Sequence, residues 1–146
     1  MSNNNPIGLF DSGMGGLSVW REIRAALPAE SLIFFGDGVR CPYGSRPEAE
    51  VLQFTVEAVE RLIAEGCKLI VIACNTASIS AIDKLRAVVD VPVVGTVPAI
   101  KTAAELTKNG NIGVIATKTS VKQNYLSDLA DRFASDSNVY ICGTEH

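Results

Sequence analysis

Histidine is almost missing from this chain: His146, the last of its 146 residues, is the only one. The four cysteines, Cys41, Cys67, Cys74 and Cys142, show no C-x-x-C spacing. A zinc site and a disulfide framework are both excluded on that pattern. Reduced thiols, and hence a cytoplasmic location, fit better. No apolar run approaches the roughly 20 residues a helix needs to cross a bilayer, so no membrane role is expected. The opening Met-Ser-Asn-Asn-Asn-Pro has neither the basic nor the apolar region of a signal peptide. A basic excess is lacking too: 13 Lys and Arg against 16 Asp and Glu give a net charge of −3. The cations are scattered, so bulk electrostatics attract no nucleic acid. There is no low-complexity tract and no repeat beyond a β-α alternation.

What is present suits one domain with a real core. The chain is 47% hydrophobic and 20% charged, with mean hydropathy +0.22. That is slightly apolar for its size, as expected of a truncated domain or a homo-oligomer.

Short apolar runs at residues 7–10, 32–35, 69–73, 91–94, 111–116 and 139–141 read as strands. Helical patterns follow them at 17–27, 48–65, about 75–89, 98–108 and 121–133. In the second, Val51, Leu52, Thr55, Val59, Leu62 and Ile63 fall at three-to-four spacing, and Gly66 is its expected stop. Pro98 suits a first helical turn, and Asn109-Gly110 is a turn signal. Strand-helix alternation throughout predicts an α/β fold, an open parallel sheet of flavodoxin-like type with helices on both faces.

The stretch that organises this pattern is Lys68-Leu69-Ile70-Val71-Ile72-Ala73-Cys74-Asn75-Thr76. Its branched apolar core predicts a strand buried on both faces. Ligands of such sheets bind outside the carboxyl ends of the strands. Cys74 stands there, at the start of a helix whose dipole favours negative charge. Four strands end in small or polar residues: Asp11-Ser12, Gly36-Asp37, Cys74-Asn75-Thr76 and Thr117-Lys118-Thr119. In one sheet these ends would share a rim holding a carboxylate, hydroxyls, an amide and a thiol.

Several chemistries fail on this rim. A dinucleotide fingerprint needs a third glycine where Ser18 stands, and Asp11 would repel a pyrophosphate. No Gly-x-x-x-x-Gly-Lys occurs. A cysteine hydrolase wants a histidine beside its thiol, and His146 is at the terminus. A pyridoxal enzyme needs a site lysine, and Lys118 reads as a solvated loop charge. A thiol acting as general base remains, with Asp11 in the adjacent glycine-rich loop, outside the strand, to orient it. Cys67 begins the central strand at the end away from the rim and reads as structural. Cys41 reads as a filler position beside Pro42.

The segment Ile7-Gly8-Leu9-Phe10-Asp11-Ser12-Gly13-Met14-Gly15-Gly16-Leu17-Ser18-Val19 closely resembles the N-terminal signature of glutamate racemases, in the aspartate/glutamate racemase superfamily. Four more blocks resemble that family in order: residues 37–44 with Arg-x-Pro-Tyr-Gly, Ala73-Cys74-Asn75-Thr76-Ala77, Gly95-Thr96-Val97-Pro98-Ala99 and Gly113-Val114-Ile115-Ala116-Thr117.

The resemblance implies interconversion of L- and D-glutamate without pyridoxal phosphate, metal or other cofactor. Two cysteines work from opposite faces of the α-carbon, and the product supplies D-glutamate for peptidoglycan and so for cell-wall biogenesis and cell shape. On this resemblance Cys74 is the first of those thiols, with Asp11 and Ser12 as its supporting acid and a substrate contact. Tyr43, Gly44, Asn75 and Thr76 would hold the carboxylates and amine of the substrate, joined by Thr117 and Thr119.

One departure stands out. The family's second cysteine lies in a Gly-Cys-Thr-His block, whereas Cys142 is followed by Gly143-Thr144-Glu145. The expectation is therefore a truncated racemase. Residues 1–97 would be the leading part of a first α/β domain, and 98–146 the start of an incomplete second. Such a chain would lack turnover. The alternatives are a racemase of the same superfamily acting on another acid, and a non-catalytic ligand-binding or interaction fragment.

Overall fold

A computed structural model describes residues 4–122 and 124–144. β1 (Ile7–Asp11), β2 (Leu32–Gly36), β3 (Leu69–Ile72) and β4 (Val93–Gly95) form a four-stranded parallel sheet in the order β2-β1-β3-β4. β1 lies at its centre, pairing Ile7 with Leu32 on one side and with Leu69 on the other. Every residue of β1 is buried, as a strand covered on both faces must be.

Side chains alternate across the pleat, and the sheet accordingly has two cores. Ile7, Leu9 and Val71 meet Val19, Trp20 and Ile23 of α1 (Leu17–Ala26). Phe10, Ile70 and Ile72 join Val51 and Leu62 of α2 (Glu48–Ala64), together with Leu85 of α3 (Asn75–Val88). Gly66 ends α2 as expected, with φ +82°, a conformation that side chains disfavour. Its N–H donates to Ile63 O at 2.9 Å, and the Cys67 N–H donates to Leu62 O at 3.2 Å. This pair of bonds is a Schellman motif.

The α/β class stands as predicted, but the strands do not all share one sheet. β5 (Asn111–Thr117) and β6 (Asn138–Thr144) form a separate two-stranded parallel sheet. Ile112 and Val114, with Val139 and Ile141, pack on Ile100 of α4 (Ile100–Leu106) and Leu126 of α6 (Tyr125–Phe133). That cluster is a core of its own, which is why β5 does not extend the first sheet. The opposite face of this sheet is open, with Ile115 80% and Tyr140 63% exposed.

Several boundaries differ from expectation. Asp11 is the buried last residue of β1, not part of the loop, because it pairs in register with Gly36 and its C=O continues the parallel ladder by accepting the Asp37 N–H. The helix expected from Pro98 starts at Ile100. The helix expected over 121–133 is two: α5 (Lys118–Val121) begins directly after β5, and α6 follows. Thr117 starts α5 because its hydroxyl accepts from the Ser120 N–H at 3.3 Å. Among the described residues no helix is long and apolar enough to cross a membrane.

Candidate active site

β3 delivers Cys74 to the sheet's carboxyl edge, where it becomes the N-cap of α3, in extended conformation at φ −87° and ψ 120°. Its sulfur accepts the Ala77 N–H at 3.5 Å, and its thiol donates to Ser12 Oγ at 3.4 Å. A sulfur cap does for the first turn what a serine oxygen usually does, so the candidate thiol and the helix start are one residue. Cys74 is 8% exposed. Asn75 and Thr76 open the helix beside it.

β1 is adjacent to β3, with Phe10 opposite Ile72 and the Ala73 N–H donating to Phe10 O at 2.7 Å. Asp11 is thereby held at the strand end next to the thiol's own. Its carboxylate accepts the Gly13 N–H at 2.9 Å, and its C=O accepts the Asp37 N–H at 2.9 Å.

The loop after β2 folds over this edge. Tyr43 is buried against Phe10 and Phe54, and its hydroxyl donates to Asp37 Oδ2 at 2.6 Å. Burial first, then this bond to a carboxylate, push the phenol well above its ordinary value. Arg40 donates to the same carboxylate at 2.5 Å and to Glu57 at 2.5 Å, with its guanidinium 4.2 Å from the Phe54 ring centre.

The far wall comes from the end of β5. Thr117 Oγ1 lies 3.3 Å from Thr76 Oγ1 and 2.9 Å from Ser120 Oγ. The Thr119 hydroxyl is shared between Gly44 O and Arg46 O, each at 3.0 Å. Gly44 passes so close to Thr117 that a Cβ on it would sit 2.5 Å from the threonine methyl. The predicted substrate set Asp11, Ser12, Tyr43, Gly44, Asn75, Thr76, Thr117 and Thr119 thus lies around the strand ends, although those ends belong to two sheets.

A cavity of about 480 Å³ adjoins this wall. Asn75, Thr76, Thr117 and Ser120 form its polar end, and its body is apolar, with Ile112 and Leu126. Asp11, Ser12 and Cys74 do not line it. Among the described residues, no three His, Cys, Asp or Glu side chains converge as metal ligands would.

A family model described as Asp/Glu/Hydantoin racemase matches residues 7–144. The chain belongs to that family. It is 46% identical over 140 residues to a glutamate racemase of Cupriavidus pinatubonensis, covering 96% of this chain and 51% of that one. A glutamate racemase of Exiguobacterium sibiricum is 48% identical over 122 residues, 83% of this chain and 45% of the relative. The crystal structure of Escherichia coli glutamate racemase with L-glutamate and the activator UDP-MurNAc-ala superposes with a TM-score of 0.86 at 44% identity. That match covers 96% of this chain and 53% of the other. The chain therefore spans about half the length of these relatives.

The other thiols fall into place within this racemase fold. Cys67 is buried at the opposite end of β3, and burial pushes its thiol up. Cys41 is exposed, although its sulfur is beside Gly13. Cys142 is exposed on β6, and Lys118 is an exposed residue of α5. His146 lies outside the described residues. Two further polar residues of the candidate site lie outside the predicted set. Ser120 was legible as the third residue after a Thr at a strand end, the spacing of a hydroxyl cap. Asp37 reads in sequence only as a strand end, because its bond to Tyr43 spans a loop.

Proposed function

We propose that this chain carries one half of a cofactor-independent glutamate racemase site. The observation that supports it most is the thiol of Cys74 at a helix N-cap, in contact with Ser12, with buried Asp11 at the end of the neighbouring strand. In this reading the Cys74 thiolate takes the α-proton of one enantiomer, leaving a planar carbanion. A second thiol returns a proton to the opposite face. Asp11 orients and balances the charge of the base. Ser12, the loop at Tyr43 and Gly44, and Asn75, Thr76, Thr117 and Thr119 hold the carboxylates and amine with amide and hydroxyl donors.

The family's Gly-Cys-Thr-His block is not in this sequence, so these 146 residues supply a single base and exchange a proton without inverting the carbon. The two separate sheets support a division into units at residues 1–97 and 98–146. The reading further includes a cytoplasmic, homo-oligomeric protein that serves D-glutamate supply for peptidoglycan.

Alkylation at limiting reagent, mapped by mass spectrometry, tests the assignment of the base. Cys74 is expected to react before Cys67, and D-glutamate is expected to protect it. Labelling of Cys67 first, or labelling of Cys74 indifferent to glutamate, contradicts the proposal.

A further inference from the structure

Asp37 is 5% exposed and carries three attachments. Its N–H donates to Asp11 O at 2.9 Å, and one carboxylate oxygen accepts both the Tyr43 hydroxyl at 2.6 Å and Arg40 Nε at 2.5 Å. Its C=O accepts the N–H groups of Arg40 and Cys41, at 3.3 and 3.1 Å. A single buried residue thus ties the strand end bearing Asp11, through its backbone N–H, to the loop bearing Tyr43 and Gly44, through its carboxylate.

The Tyr43 hydroxyl is consumed by that bond. It is buried, and a phenol already donating to a carboxylate has no proton to offer a ligand. The candidate contribution of Tyr43 and Gly44 to the site is consequently their backbone, whose placement depends on where the ring is anchored. From the other side the loop is held by Thr119, through the carbonyls of Gly44 and Arg46. A polar network of this kind rigidifies what it holds only while its members are satisfied.

We propose that Asp37 is a positioning residue of the glutamate site, fixing the Tyr43–Gly44 backbone by gripping the Tyr43 hydroxyl from beneath. This rests on the glutamate reading given above. Arg40 shields the carboxylate from water, braced by Glu57 and stacked on Phe54. The grip matters through the loop and leaves the thiol alone.

The test uses the whole chain with Asp37→Ala, Asp37→Asn and Tyr43→Phe, read by amide hydrogen exchange, D-glutamate affinity by calorimetry, and the alkylation rate of Cys74 without ligand. Loss of one such buried bond is expected to weaken D-glutamate binding by about tenfold. Exchange at residues 43–46 should rise tenfold or more in Asp37→Ala and Tyr43→Phe, while amides of β1 and β3 and the alkylation rate stay within twofold. Asp37→Asn keeps an acceptor and should restore most of both effects, and the double variant should be no worse than Asp37→Ala alone. Unchanged exchange at 43–46 overturns the proposal, as does faster exchange with glutamate affinity intact. If Asp37→Ala does not fold, the asparagine and phenylalanine variants decide. Failure of the unsubstituted chain to bind glutamate sinks the functional reading instead, and exchange at 43–46 then decides alone whether Asp37 holds the loop.

Discussion

Gly44→Ala probes the seam between the two sheets. The new methyl would meet Thr117 Cγ2 at 2.5 Å and Thr117 Cβ at 2.9 Å. Both are under normal van der Waals separation, and the second atom is not a mobile side-chain end. Thr117 cannot rotate away freely, because its Oγ1 is held by Thr76, Ser120 Oγ and the Ser120 N–H. The loop cannot rise without losing the Thr119 bonds to Gly44 and Arg46. Overpacking of this sort costs about 1–3 kcal/mol. For a chain of this length 1 kcal/mol shifts Tm by roughly 2–4 °C, so the variant should melt about 2–12 °C lower. Thr117→Ser supplies the control: it deletes the methyl and retains the cap. In that background Gly44→Ala should cost at least about 1 kcal/mol less, measured by urea unfolding as a double-mutant cycle. Equal costs in the two backgrounds, or an unshifted Gly44→Ala, would show that the loop does not press on β5 as described.

Three further outcomes are expected. Stability should fall as the pH rises past about 9 and 10, the ordinary thiol and phenol values, since the unfolded chain then loses protons that buried Cys67 and Tyr43 keep. Each such group contributes up to about 1.4 kcal/mol per pH unit, and Tyr43→Phe should flatten the decline seen in urea midpoints; an identical slope would remove Tyr43 from it. Asp11→Asn preserves an acceptor for the Gly13 N–H. Its Tm should stay near normal while α-proton exchange of glutamate drops about 100 to 10,000-fold, and near-normal exchange would take Asp11 out of the mechanism. The open β5–β6 face should drive self-association, seen by sedimentation, and Ile115→Lys should reduce it; an unchanged mass distribution would mean another surface is responsible.

The parts of the fold that could be read from sequence are those fixed by local pattern. The uninterrupted apolar run before Cys74 declared a doubly covered strand, and Gly66 declared the end of α2. The first sheet's rim followed, because strand ends in a parallel sheet lie side by side. The partition into two sheets was not legible in the apolar pattern, since the alternation of β5 is the same whichever core buries it; a division near residue 97 was implied only by the family resemblance. Only the packing of Ile112 and Val114 on Ile100 and Leu126 distinguishes them. The Lys118 turn escaped for a related reason: Thr117-Lys118-Thr119-Ser120 has loop composition, and the cap that makes it helical is a matter of geometry. Asp37 was hidden because the bond to Tyr43 depends on how the intervening loop folds.

The central claim is that Cys74 is a lone base facing the α-carbon of glutamate. It is tested most directly by incubating the chain with L- and D-glutamate in deuterated water, following deuterium at the α-carbon and chirality together. The expected result is deuterium in one enantiomer, retained configuration, and loss of exchange in Cys74→Ala. Inversion at about 1 per second or faster would contradict the single-base account, and exchange that survives Cys74→Ala would remove the thiol from the chemistry altogether.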